Sequence, residues 1–320
     1  MKTLLVGYRA ADLTPELLEG DVTCHVLDIY HRHAIEKVHH AKAICSPHLP
    51  EGPWDLIRFK TGPKIHSGEL SLDLLQEIAV LVGGDLRPPR FALDFEGRER
   101  DRNDLLDKIK DDPKRVRSFK AEWPASVPGG EKLMFTSYPG CFCHRRLDEG
   151  GLALAEVVSR EFLAVSTPHS LSILDMGCGC GLVGLLVANR LSKHPNLPNL
   201  PNLPNLLNLT LVDSHARAVE AATENAAKFG IPAEVILSDN GTPSRMDGTF
   251  DVFVGNPPYY SDYRIAEVFL ETAKRALKPG GICYTVVKNA AGLKPVQERF
   301  FPSVEVISRR NYSILKSRIP

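Results

Sequence analysis

The sequence predicts an α/β protein whose C-terminal part is a Rossmann-like, mostly parallel sheet, preceded by a smaller α/β domain. Three observations carry this expectation. After residue 170 the strand-like runs "LSILDMG", "LTLVDS", "AEVILSD", "FDVFVGN" and "GGICYTVV" alternate with helix-like stretches, the order of a doubly wound sheet with crossover helices. Each polar motif of that part stands at the carboxyl end of one such run, where open parallel sheets take their ligands. The segment "WPASVPGGEK", residues 123–132, is rich in Pro, Gly and small residues between two patterned regions, and reads as a linker. The expected division is residues 1–125, a linker at 126–132, and residues 133–320.

The totals agree with two domains of an ordinary globular chain. At 320 residues, 43% hydrophobic and 24% charged, the chain is long for a single core. Lys plus Arg equals Asp plus Glu at 39 each, so no large positive field advertises a nucleic-acid partner, although a local basic stripe can sit on a neutral protein. No apolar run approaches the roughly 18–20 residues needed to cross a bilayer, and "MKTLLVG" reads as a first strand rather than a targeting signal. Seven cysteines, an odd number in a long chain, fit reduced thiols and a cytoplasmic location. The pairs Cys141/Cys143 and Cys178/Cys180 are spaced too closely for usual zinc ligation, and no metal is expected.

In the N-terminal part, "TLLVG", "CHVLDIY", "WDLIRF" and "RFALDF" are strand-like. "SGELSLDLLQEIAVLVGG" has apolar residues at helical spacing, opened by Ser67 and closed by Gly83. The charged stretch from Glu96 to Arg117 reads as a solvated helix and its flanks. No glycine-rich loop follows a strand here, so no nucleotide-binding feature is expected. In the C-terminal part, "SHARAVEAATENAAKFG" predicts a helix capped near Ser214 and ended by Gly230, and "YRIAEVFLETAKRALKPGG" one stopped at Pro279. Between the first helix and second strand, "PNLPNLPNLPNL" at 195–206 repeats a triplet four times. Proline at every third position forbids helix, and the repeat reads as an extended loop insertion.

The first polar motif, "LDMGCGCGLVG", places Asp175, Gly177, Gly179 and Gly181 between a strand and a helix. Glycines allow a sharp turn that brings backbone amides against a ligand at the positive end of the helix. Gly179, Gly181 and Gly184 also spell G-x-G-x-x-G, so a dinucleotide site stays open at this point. Asp213 ends the second strand 32 residues after Gly181; without the 12 repeat residues about 20 remain, the distance of an acid that grips ribose hydroxyls. Asp239 ends the third strand and is a candidate for facing an adenine.

The fourth strand ends in "NPPYY", and here the ambiguity breaks in favour of methyl transfer to a planar nitrogen. An exocyclic amine of a base, or a side-chain amide, has a delocalised lone pair and is a poor nucleophile. The side-chain oxygen of Asn256 and the carbonyl of Pro257 can accept its two N–H bonds and aim the lone pair at a sulfonium methyl. Pro257 and Pro258 donate no amide hydrogen and fix φ, which holds that carbonyl in place. Tyr259 offers a face for stacking the flat acceptor. The expected cofactor is S-adenosyl-L-methionine, leaving as S-adenosyl-L-homocysteine; because its leaving group is already cationic, catalysis is mainly alignment.

With these motifs the second part resembles class I S-adenosylmethionine-dependent methyltransferases of the "methyltransferase small" domain. Within that group it is similar to the two-domain bacterial ribosomal-RNA guanine-N2 methyltransferases C and G. "YPGCFCHRRLDEGGLAL" at 138–154 resembles the family's Pro-Gly-x-Phe segment with Leu-Asp-x-Gly, and "RRNYSILKS" its closing hairpin strand. The resemblance implies that Asp175, Gly177 and Gly179 line the cofactor, that Asp213 holds its ribose, and that Asn256 to Tyr259 hold the target amine. It also implies that Pro139 to Phe142 close over the cofactor, and that residues 1–125 are a degenerate, substrate-recognising duplicate of the same fold. Relatives often have Phe then His after the prolines, where this chain has Tyr259 and Tyr260, and the repeat is foreign to them. The implied partner is ribosomal RNA or a ribosomal subunit. Two alternatives stand beside it: the same chemistry on release-factor glutamine or adenine N6, and a non-catalytic RNA-binding or ribosome-assembly factor on a methyltransferase fold.

Overall fold

A strand with no exposed face organises the first part of the chain. Leu4, Leu5 and Val6 of β1 (Lys2–Val6) are fully buried, as a parallel strand covered on both sides requires. It pairs in parallel with β2 (Asp21–Val26), which pairs with β3 (Lys42–Cys45); on its other side lie β4 (Leu56–Thr61) and then β5 (Phe91–Phe95). The resulting sheet runs β3-β2-β1-β4-β5, parallel throughout. Its helices are α1 (Ile29–His39), α2 (Gly68–Leu81) and α3 (Glu99–Lys110). Ser67 caps α2 as expected, its hydroxyl accepting from the Leu70 amide at 3.2 Å. "CHVLDIY" does not continue as one strand, because Asp28 accepts from the Tyr30 amide at 2.9 Å and starts α1. The four residues of β3, opening on exposed Lys42, gave too little pattern to be read from the sequence.

The structure is a computed structural model that describes all residues except 85, 111–117, 164–169, 194–206 and 259–260. The triplet repeat at 195–206 lies outside the described residues. By contacts the chain divides into one unit of 1–120 with 138–144 and 215–217, and a second of 121–137, 145–214 and 218–320. The boundary therefore falls five residues earlier than the composition suggested. Ala121–Ala125 is a strand, β6, paired antiparallel with β7 (Leu133–Ser137), and Trp123 stacks on Phe135 with ring centroids 5.4 Å apart. Residues 126–132 join these two strands. Proline and glycine mark a turn within a unit as readily as a linker between units.

The second unit has a seven-stranded sheet. After α4 (Glu149–Leu163) come β8 (Leu171–Met176), α5 (Leu182–Ser192), β9 (Leu207–Asp213), α6 (Ala216–Lys228), β10 (Ala233–Leu237) and β11 (Phe250–Gly255). Then follow α7 (Arg264–Ala276), β12 (Leu277–Val287), α8 (Ala290–Glu298) and a final hairpin of β13 (Glu305–Arg309) and β14 (Tyr312–Arg318). The order is β10-β9-β8-β11-β12-β14-β13, and only the β14 pairings are antiparallel. Arg310 and Asn311, both at positive φ (48° and 60°), make the tight turn of that hairpin. The helix expected to run to Pro279 ends at Ala276. Strand β12 begins at Leu277, and its register against β11 shifts between Phe250 and Val252.

Among the described residues no helix is long and apolar enough to cross a membrane. The core under β8 and β11 holds Leu174, Met176, Phe250, Phe253, Phe269 and Leu270.

Candidate active site

Strand order brings most of the predicted residues to one place. β8 begins the second sheet; the chain moves outward through β9 and β10, then returns to lay β11 on the other side of β8. The carboxyl ends of β9, β8 and β11 thus stand side by side at the topological switch point, where doubly wound sheets bind ligands. They carry Asp213, the Asp175 loop and Asn256 respectively.

The loop after β8 is held from several directions. The amides of Gly177 and Cys178 both donate to the Val212 carbonyl, at 2.8 and 3.0 Å. Gly177, Gly179 and Gly181 have φ of +68°, +55° and +85°, a conformation that side chains rarely tolerate. A Cβ at Gly179 would point into open space. That is room for a ligand against the loop's backbone and the N-terminus of α5. Asp213 accepts from the Gly179 amide at 2.8 Å, so the acid expected to grip a ribose is tied to the loop beneath it. Asp175 is 2% exposed and accepts from the Gly184 amide at 2.8 Å. Burial pushes its carboxyl up to about 7 despite that bond, and Asp213 and Asp148 push it further the same way.

Asn256 leaves β11 directly. Its Nδ2 donates to Asp148 Oδ2 at 2.8 Å; Pro257 beside it is buried. A Cβ at Gly177 would stand 2.6 Å from Phe269 Cζ and one at Gly255 2.9 Å from Phe269 Cδ1. A single ring from α7 therefore packs on the backbone of both loops, and both positions need glycine. Just beyond the tip, Asp262 and Tyr263 adopt positive φ (50° and 63°) before α7 begins.

Of the predicted residues, Asp175, Gly177, Gly179, Gly181, Asp213, Asn256, Pro257 and Pro258 gather at these strand ends. Asp239 follows β10, one strand further out than β9. Tyr259, expected to stack the acceptor, lies outside the described residues. Phe142 is 66% exposed and belongs to the segment 138–144 that groups with the first unit; the bonds above do not join it to the others. Two residues escaped the sequence reading. Asp148 lies in "LDEGG", where nothing local signals a role. Asn225, fully buried on α6, bonds Thr136 of β7 through both its amide groups, and its Nδ2 also donates to the Cys180 carbonyl at 2.9 Å. Nothing in its helical surroundings signals that task.

A model of the methyltransferase small domain matches residues 132–316. The chain belongs to the methyltransferase small domain family. Among members of that family with curated names, it is 30% identical to ribosomal RNA small subunit methyltransferase C of Shewanella loihica over 210 residues, 64% of this chain and 54% of that protein. It is 32% identical to the enzyme of the same name from Aeromonas hydrophila over 185 residues, 56% of this chain and 47% of the other. The chain thus spans about half the length of the curated relatives it matches. A solved structure, the T. thermophilus 16S rRNA N2 methyltransferase RsmC in complex with AdoMet and guanosine, superposes with a TM-score of 0.77. It covers 100% of this chain and 88% of that one at 17% identity, and so shows a shared two-part fold.

Proposed function

We propose that this protein is an S-adenosylmethionine-dependent N-methyltransferase acting on the exocyclic N2 amine of a guanine in ribosomal RNA. One observation carries the reading. Asn256 and the carbonyl of Pro257 leave the end of β11 beside the glycine loop of β8, so an amine acceptor and a cofactor would meet at adjacent strand ends. The open space at Gly179 and the carboxylates of Asp213 and Asp175 fit a cofactor with ribose hydroxyls and a positive charge. When bound, S-adenosylmethionine supplies a methyl group on a sulfonium. Asp213 would hold its ribose, the amides of the Gly177–Gly181 loop its polar groups, and Asp239 would face its adenine.

The chain's own work at the tip is alignment. Asn256 Oδ1 and the Pro257 carbonyl accept the two amine hydrogens, which favours a more tetrahedral nitrogen. Neither proline offers a donor that would compete for those acceptors. Tyr259 supplies a stacking face and Phe142 a cover over the cofactor, as the family resemblance implies.

Ribosomal RNA as partner rests on the curated relatives' names, and cytoplasmic location follows from that partner. The first sheet repeats the order β3-β2-β1-β4-β5 that opens the second one in the form β10-β9-β8-β11-β12. After β1, however, buried Tyr8 follows Gly7 where the second unit has its glycine loop. This supports the reading of the first unit as a degenerate duplicate, whose task we assign to substrate recognition.

The test is incubation with labelled S-adenosylmethionine and undermodified ribosomal subunits, free rRNA or release factor, followed by mass spectrometry of nucleosides and peptides. N2-methylguanosine is the expected product. Label confined to glutamine, or to N6 of adenine, would replace the acceptor, and S-adenosylmethionine failing to bind would overturn the reading.

A further inference from the structure

An asparagine side chain presents an oxygen on one side and an NH2 group on the other, and only one orientation serves an amine acceptor. If the amide turned over, two donors would face two donors. At the tip of β11 this choice is made by Asp148. An ionised carboxylate only accepts, so the 2.8 Å contact to Asp148 Oδ2 must come from Asn256 Nδ2, and Asn256 Oδ1 is turned the other way.

Asp148 is itself fixed. Its backbone carbonyl accepts from the Leu152 amide at 2.9 Å, which makes it the N-cap of α4. Its Oδ1 accepts from the Gly150 amide at 3.0 Å, and the Gly151 amide also bonds the carboxylate. An N-cap needs one side-chain oxygen for its helix. Here a second oxygen is given to a residue 108 positions away. The following residues leave no slack: a Cβ on Gly151 would stand 2.6 Å from Asp148 Oδ2, and one on Gly150 3.1 Å from the ring of Tyr312. Burial pushes the Asp148 carboxyl above its ordinary range, with the bonds from Gly151, Asn256 and Gly150 drawing it back and Glu149 adding to the rise.

We propose that Asp148 is a positioning residue for methyl transfer: its carboxylate locks the Asn256 amide with the oxygen toward the target amine. This rests on the function proposed above, but its main readout does not. In NMR spectra of the wild-type protein, the Asn256 side-chain NH2 signal, assigned by its loss in Asn256→Ala, should exchange with solvent far more slowly than that of exposed Asn311. Exchange equally fast at both would overturn the proposal, whatever the enzyme methylates.

Kinetics supply the second arm, at mildly alkaline pH. Asp148→Asn keeps an oxygen for the α4 amides but can turn its own NH2 toward Asn256. It should lower kcat by about tenfold or more, with the dissociation constant of S-adenosylhomocysteine within about threefold of wild type. Gly151→Ala, which displaces the carboxylate without removing it, should act in the same direction. In an Asn256→Ala background, Asp148→Asn should lower kcat little further. Unchanged kcat in Asp148→Asn, or losses that multiply independently in the double variant, would reject the positioning role. If wild type methylates nothing, the proposed function fails, and the exchange measurement still decides whether Asp148 holds the amide.

Discussion

Asn256 and Asp213 follow the two strands that flank β8 on opposite sides, yet their loss should be felt at different steps. In the proposed reaction Asn256 acts on the acceptor amine and not on the cofactor. Asn256→Ala is therefore expected to lower turnover by about two or more orders of magnitude, roughly 3 kcal/mol of lost alignment, while calorimetry shows cofactor affinity nearly intact. Asp213 is proposed to hold the ribose, a contact made before any chemistry, so Asp213→Ala should weaken cofactor binding first. Equal effects of the two variants on cofactor affinity would contradict this separation. Asp175 adds a pH signature. Burial pushes its carboxyl up to about 7 in the fold, against about 3.9 in an unfolded chain. Between these values the native protein binds the extra proton, so this group's contribution to stability falls as pH rises from about 4 to about 7. Asp175→Asn should flatten that part of the stability curve in denaturant titrations. The same charge attracts a cation, so affinity for S-adenosylmethionine should rise from about pH 6 to 8 more steeply than for uncharged-sulfur S-adenosylhomocysteine. Parallel curves for the two ligands would remove Asp175 from this role.

At the scale of elements, the site depends on how closely α7 lies on the ends of β8 and β11. Phe269 covers the backbone of both Gly177 and Gly255, and no local pattern announces that a glycine at the end of a strand is reserved for a ring some 14 residues onward. Gly255→Ala should cost about 1–3 kcal/mol by overpacking and displace Asn256 along with the strand end. Combining it with Phe269→Leu should recover part of the loss in thermal unfolding; no recovery would place the strain elsewhere. Other elements show where sequence reasoning stops. The motif strands β8, β9, β10 and β11 were legible because a run of apolar residues ends abruptly in Asp, Gly or Asn-Pro. Strand β3 was not, being four residues long, and β6 is hidden because "AEWPA" alternates buried and exposed residues around a proline and runs into a turn-rich stretch.

Across the whole molecule, the residues tied together at the site belong to the second unit, and Phe142 groups with the first. Hydrogen exchange separates the two. S-adenosylhomocysteine at about 100 times its dissociation constant stabilises its binding form by roughly 2.7 kcal/mol, and protection should rise in 175–184 and 250–258 while the strands β1 to β5 stay as they were. The doubly wound class, the glycine loop, the acid that ends β9 and the Asn-Pro-Pro tip are legible in the sequence alone. Each of these is written in consecutive residues, through backbone freedom at Gly, rigidity at Pro and the ends of apolar runs. It took the folded layers to show that Asp148 bonds Asn256, that Asn225 ties β7 to the glycine loop, and that 121–125 belongs with the second unit. Those pairings depend on which strands become neighbours, and neighbourhood in a crossed-over sheet is set by the packing of the whole layer, not by distance along the chain.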